Sequence, residues 1–205
     1  MKKIFKLQNF YMLMFLMGSV VAFTSCDDED DNPPHTPVVQ DMYGSYTGNM
    51  AFSDISLQDA SDDSSVSEAV TAKVDNDTIY FDDFPIKNIV VSVVGDEALA
   101  DKIVEAVGKV EYKIGYKPEL TEKKDSILFA MDPKPFNISV TIPSEVEGEE
   151  DDQMDITVNV LPVDGANYEC KTTNLKFNID VDEVQVGGSS IGFEPKRFDF
   201  EMKKK

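Results

Sequence analysis

Two cysteines, one histidine and 39 acidic side chains are the groups in this 205-residue chain suited to nucleophilic, acid–base or metal-binding work. The histidine, His35, sits in a stretch with Pro33, Pro34 and Pro37. One imidazole in such a stretch does not supply the base of a buried nucleophilic triad. Nor does it build a typical His-ligated zinc or iron centre. No glycine-rich phosphate loop or Walker pattern occurs. Carboxylates are plentiful, but glycoside hydrolysis needs two of them fixed across one sugar bond. Here they crowd loops and outward strand positions, which reads as a solvated face. The oxygen-rich runs Glu147 to Asp155 and Asp59 to Asp63 offer weak calcium ligands without the spacing of an EF-hand, and an exposed acidic loop is the plainer reading. No residue emerges as catalytic, and none as a ligand of a metal or cofactor.

Cys26 has the most telling setting. Before it come Lys2, Lys3 and Lys6, an uncharged run from Phe10 to Phe23, and the small residues Thr24 and Ser25. A basic start, a short apolar run and small residues at the cut describe a secretory signal peptide over residues 1–25. The run is about 14 residues, short of the roughly 20 that a helix needs to cross a bilayer. A cysteine at the cut resembles a bacterial lipoprotein signal, which implies that the Cys26 thiol is lipidated and becomes the mature N-terminus. Each buried acyl CH₂ contributes roughly 0.8 kcal/mol, and several chains together hold a protein stably in a membrane.

Five acids, Asp27 to Asp31, follow Cys26. With the prolines after them they make residues 26–40 a solvated, self-repelling tether. The arrangement Ser25-Cys26-Asp27-Asp28-Glu29 resembles lipoproteins of Bacteroidota, where acids just after the cysteine accompany export to the cell surface. In enterobacterial lipoproteins an Asp in that place resembles an inner-membrane retention signal. The expected address is the outer membrane, facing the cell exterior. With the Cys26 sulfur acylated, Cys170 stands alone. It lies in the alternating stretch Tyr168-Glu169-Cys170-Lys171-Thr172 and reads as a small core residue.

Residues 41–205 read as one domain with enough chain for a sizeable core. Loss of residues 1–25 removes three of the 19 basic residues and no acid, leaving a formal charge of −23. That charge repels phosphate backbones and argues against nucleic acid as a partner. Thirteen Phe and seven Tyr argue for a folded core.

The elements that must position any site are mostly strands. Tyr43 to Ile55 opens the domain as a strand, and Asp54 to Ser65 follows as a loop. Val66 to Val74 alternates, Asp75-Asn76-Asp77 turns the chain, and Thr78 to Phe84 returns. Ile86, Ile89, Val90, Val93 and Val94 then take helical spacing, with Pro85 placed as a first helical residue, although their β-branching leaves a strand open. Asp96 reads as an N-cap, Leu99, Ala100, Ile103, Val104 and Val107 as an apolar stripe, and Gly108 as the stop. Alternation resumes at Lys109. Ser126 to Met131 and Phe136 to Ile142 flank Asp132-Pro133-Lys134-Pro135, read as a connection rather than strand. Glu145 to Asp152 is an acidic loop. Strands follow around Ile156 to Val160, Tyr168 to Thr172, Leu175 to Val181 and Phe193 to Met202, with turns at Asp164-Gly165 and Gly187 to Ser190. The expected fold is mainly β: an antiparallel barrel or a two-sheet sandwich of about nine strands with a helical insertion near residues 85–107. Strand faces alternate in both, so period does not choose between them.

The signal, the opening Tyr43-Gly44-Ser45-Tyr46-Thr47-Gly48-Asn49-Met50 and the stretch Ile79 to Ile89 resemble the small β-rich domains of uncharacterised Bacteroidota lipoproteins, some of them calycin-like (lipocalin-like). Asp77-Thr78-Ile79 and Asp125-Ser126-Ile127 resemble the acceptor pattern for O-glycosylation in that lineage, which makes Thr78 and Ser126 candidate modification sites. Both also mark plausible strand starts. The function expected is that of a lipid-anchored, non-enzymatic envelope protein that binds or scaffolds. The partners left open, besides the membrane at Cys26, are a glycan, a small apolar molecule inside a barrel and a neighbouring surface protein. A glycan-binding accessory protein, or a carboxylate-based glycoside hydrolase, is the alternative. Exposed aromatics serve glycan binding, and Tyr43, Tyr46, Tyr116 and Phe193 are the candidates, each also suited to core packing.

Overall fold

The computed structural model describes residues 35–55, 66–142 and 152–205. In chain order it holds β1 (Gly44–Asp54), β2 (Val66–Asp75), β3 (Thr78–Phe81), α1 (Lys87–Val94), α2 (Glu97–Val107), β4 (Tyr112–Leu120), β5 (Ser126–Pro133), β6 (Phe136–Ile142), β7 (Asp152–Pro162), β8 (Asn167–Glu169), β9 (Asn174–Val186), β10 (Ser189–Ser190) and β11 (Lys196–Lys204). The sheet runs antiparallel through β1, β2, β3, β4, β5, β8 and β9. β11 then pairs with β9 on one side and with β1 on the other. Eight strands thus close a ring in the order of the chain, an up-and-down barrel. This decides between the two expected architectures in favour of the barrel. Gly48 lets β1 and β11 approach: a Cβ there would lie 2.1 Å from the Glu201 carbonyl oxygen.

The alternation written in the sequence sorts side chains to the two sides of the wall. Ile127, Phe129 and Met131 of β5, Leu175, Phe177, Ile179 and Val181 of β9, and Phe198, Phe200 and Met202 of β11 are all buried. The interior holds a connected set of rings. Phe177 and Phe200 stack at 4.6 Å and 10°, Phe81 lies 5.5 Å from Phe200, and Phe84 lies 5.0 Å from Tyr112 and 5.5 Å from Phe136. The barrel is therefore a packed core, as small barrels are when side chains fill them.

The two ends differ. At the near end the chain comes in through a 3-10 turn, Val39–Met42, whose Met42 is fully buried and whose Met42 carbonyl accepts the Tyr46 hydroxyl. The β2–β3, β4–β5 and β8–β9 turns and the end of β11 share this end. At the far end lie α1, α2 and a hairpin formed by β6 and β7. β7 extends along β9 beyond β8, with a bulge at Asn159/Val160, and carries β6 on its outer edge.

α1 is helical despite its β-branched residues, because Ile86, Ile89 and Val90 are buried there, and tertiary burial outweighs a small propensity cost. It begins at Lys87, so Pro85 precedes the helix rather than opening it. Asp96 caps α2 by accepting the Leu99 amide at 2.8 Å, and Gly108, at φ 70°, ends it. Ala100 and Ile103 are buried, with α2 packed on α1 and β6. Leu99 is 47% exposed, contrary to the expected stripe, because the buried side of α2 centres on Ala100 and Ile103 and each residue turns about 100° from the last. Other boundaries also move. β3 stops at Phe81, β4 starts at Tyr112, and β8 ends at Glu169, where Thr173 at φ 59° turns the chain. β5 runs on through Asp132 and Pro133, which pairs with Ile114, since a proline at a strand's end forfeits little of the ladder.

Candidate functional site

The inner side of the wall being filled, the outer side carries the polar chemistry. Residues that alternate with the core on β1, β2, β3 and β4 point outward. Pairing aligns five positions on neighbouring strands. The Lys205 amide donates to the Ser45 carbonyl at 2.9 Å, Ser45 pairs with Lys73, Lys73 with Tyr80, and Tyr80 with Lys113. One lateral row therefore reads Lys205, Ser45, Lys73, Tyr80, Lys113. Ser45 and the three lysines are exposed and Tyr80 is half-buried. The Lys113 ammonium lies 5.8 Å from the centre of the Tyr80 ring, within cation–π range. A shallow depression of about 230 Å³ runs along Lys205, Ser45, Lys73 and Tyr80, with Thr71 and Asp82 at its sides. Among the described residues no ion pair engages Lys73, Lys113 or Lys205.

A second depression, of about 360 Å³, lies outside β8, β9 and β11 and is lined by Asn167, Lys176, Asn178, Asp199 and Glu201. Lys176 and Glu201 pair at 3.0 Å. Beside them Arg197 grips Asp180 with two bonds of 2.8 and 2.9 Å. Burial pushes the Asp199 carboxyl above the usual range, against the lowering effect of Arg197. Asp199 and Glu201 share one face of β11 two residues apart, a backbone spacing of about 6.7 Å.

Residues 41–186 match the family model described as a domain of unknown function (DUF4840). The chain belongs to this family. No curated protein and no solved structure matches it. The DUF4840 match stops where β9 ends, yet β11, beyond it, is the strand that closes the barrel.

Within this DUF4840 chain the residues singled out from sequence fall in different places. Cys26 lies outside the described residues, as do the run Asp59 to Asp63 and most of the run Glu147 to Asp155. Asp155 itself accepts the Ser139 hydroxyl at 2.7 Å. His35 is exposed at the edge of the described chain. Thr78 and Ser126 open β3 and β5, both at the near end and both partly exposed. Thr78 donates to Asp77 at 2.9 Å, and the Ser126 amide donates to Thr121 at 3.3 Å. Tyr46 and Tyr116 are buried, with hydroxyl pKa values driven up by desolvation, while Tyr43 and Phe193 are half-buried against the core. Cys170 is half-buried against the core and is not in a disulfide, and burial raises its thiol pKa.

Gly188-Ser189-Ser190-Ile191-Gly192 has the spelling of a nucleophile elbow, but Ser190 lies in the two-residue strand β10 after a Gly187-Gly188 turn, not between a strand and a helix. Neither alternation nor composition singles out the row through Tyr80. Its members lie far apart in the chain, and only the pairing register brings them together. The one signal was phase: Lys73, Tyr80 and Lys113 each alternate with core residues.

Proposed function

We propose that this DUF4840 protein is a lipid-anchored outer-membrane protein, exposed at the cell surface, that binds glycan on the outer wall of its barrel. The observation that carries this reading is the filled interior. Rings from Phe81, Phe84, Phe177, Phe198 and Phe200 occupy it, so the wall is where a ligand finds both an aromatic face and polar partners. The anchor is Cys26. At the near end Val39–Met42 lead into β1. The up-and-down ring order is the one lipocalins use and supports a calycin-like ancestry. The test has two arms. Fatty-acid labelling marks the wild type and spares Cys26→Ala, and protease added to intact cells removes the domain. Equal labelling of the two proteins, or full protection from protease, overturns the address. A screen of the full chain against neutral and acidic glycans then reads binding, and Tyr80→Ala lowers it.

A second reading rests on Asp199. Burial raises the pKa of its carboxyl, and it stands two strand residues from Glu201, a backbone spacing of about 6.7 Å beside the roughly 6.5–9.5 Å between the carboxyls of an inverting glycosidase pair. It makes the second depression a hydrolytic site. Release of reducing sugar by the wild type, abolished in both Asp199→Asn and Glu201→Gln, is the result that would favour it over binding alone.

A further inference from the structure

We propose that the row Lys205, Ser45, Lys73, Tyr80, Lys113 binds an acidic polysaccharide bearing one carboxylate or sulfate on about every second sugar. The inference rests on the glycan reading above and names the class of glycan.

From residue 41 onward acidic side chains outnumber basic ones 34 to 16. Lys87, Lys134, Lys176 and Lys196 pair with carboxylates, whereas the exposed Lys102, Lys109 and Lys117 form no ion pair among the described residues, so what marks a group of lysines is alignment. Lys73, Lys113 and Lys205 form no ion pair among the described residues, although they share one row. Three cations in line, with Asp82 beside them in the depression, make a local anion site. At physiological ionic strength the acids elsewhere act over only about 8 Å, so the patch is felt by what touches it.

Spacing sets the ligand class. Lys205 lies just past the end of β11, Lys73 on β2 and Lys113 on β4, each two strand positions from the next, with Ser45 and Tyr80 on the strands between. Two strand spacings are roughly 9.5 Å. Two linked sugar rings cover a similar length, so an acid on alternate sugars meets successive lysines. The sugar between two acids then lies over Tyr80, whose ring offers an apolar face, or over Ser45, whose hydroxyl bonds sugar hydroxyls. Asp82 accepts further hydroxyls. An extended acidic peptide fits less well: side chains on one of its faces recur at about 6.7 Å, out of step with the lysines, and Asp82 repels it.

The test is calorimetric titration of the full chain in detergent, at physiological salt, with four probes. These are hyaluronan oligosaccharides (a carboxylate on every second sugar), polygalacturonate oligosaccharides (one on every sugar), neutral dextran oligosaccharides and oligoglutamate. The expected order places hyaluronan first. Lys73→Glu/Lys113→Glu and Tyr80→Ala each weaken it roughly tenfold or more, while Lys102→Glu, on α2, leaves it unchanged. Circular dichroism and urea midpoints confirm that each variant is folded.

Several results would overturn the proposal. They are no binding of any acidic probe, tighter binding of polygalacturonate or oligoglutamate with Tyr80→Ala silent, or an equal loss in Lys102→Glu, which would reduce the effect to overall charge. Binding of neutral dextran that Tyr80→Ala abolishes would reject the acidic class and keep the glycan reading. Absence of binding to every sugar would remove both.

Discussion

Phe200→Ala separates a packed barrel from a hollow one. Phe200 is 1% exposed, stacks on Phe177 at 4.6 Å and 10°, and lies 5.5 Å from Phe81 and 6.3 Å from Phe84. It projects inward from β11, the strand that closes the ring. Truncating a phenylalanine in such a setting costs about 3–5 kcal/mol, the sum of the lost transfer energy and the cavity left behind. Neighbours held on β9, on β3 and in the segment before α1 do not collapse into the gap easily, which places Phe200 toward the upper part of that range. With a urea slope of about 2 kcal/mol/M, the midpoint falls by roughly 1.5–2.5 M. Tyr80→Ala, on the opposite side of the wall, shifts it by no more than about 0.5 M. Urea titration of the two variants, followed by far-UV circular dichroism, gives the comparison. Coincident midpoints would refute the reasoning, since a ring that can be removed at no cost lines a slack lumen rather than a core. Phe200→Leu serves where the alanine variant does not fold, and its midpoint lies between wild type and Tyr80→Ala on one side and full unfolding on the other.

A chain ending at Val186, where the family match ends, loses β10 and β11 and exposes the edges of β1 and β9; its urea transition loses cooperativity, read as a broad, shallow circular-dichroism curve. Ile103→Ala lowers stability by about 2–5 kcal/mol, whereas Lys102→Ala and Leu99→Ala each cost less than about 1 kcal/mol, as thermal or urea melts of the three variants will show. Asp199→Asn changes the pH dependence of stability. Burial raises the folded-state pKa of Asp199, so the native chain holds this proton more tightly than the unfolded one, and the group's contribution falls as pH rises from the ordinary carboxylate range through the folded value. The variant is therefore more stable than wild type at neutral pH and gains nothing well below the ordinary carboxylate range, which urea midpoints across pH will check.

Much of the fold was legible because one face of nearly every strand is apolar. The alternation of Leu175, Phe177, Ile179 and Val181, or of Ile127, Phe129 and Met131, fixes which side chains go inside. Asp96 and Gly108 bracket α2 by local chemistry that needs no tertiary context. What alternation lacks is any record of which strands pair. Closure by β11 depends on two long-range ladders, and neither leaves a mark on the local pattern. The same blindness hid the lysine row, since Lys73, Tyr80 and Lys113 are neighbours only across strands. Leu99 illustrates a different limit: spacing defines a helical stripe, but the partner surface decides how much of its width is covered. Pro133 shows that a proline can end a strand from within when its position asks for no amide proton. For Tyr46 and Tyr116, sequence offered both a core role and a surface role, and the inward phase of β1 and β4 puts both in the core.

In the proposed function ligand meets the outer wall at the lysine row. Amine acetylation of the full chain with and without hyaluronan oligosaccharide, read residue by residue by mass spectrometry, tests it most directly. Ligand protects Lys73, Lys113 and Lys205 and leaves Lys102, Lys109 and Lys176 reacting as before. Protection centred on Lys176, in the second depression, or an equal fall at all lysines would contradict it.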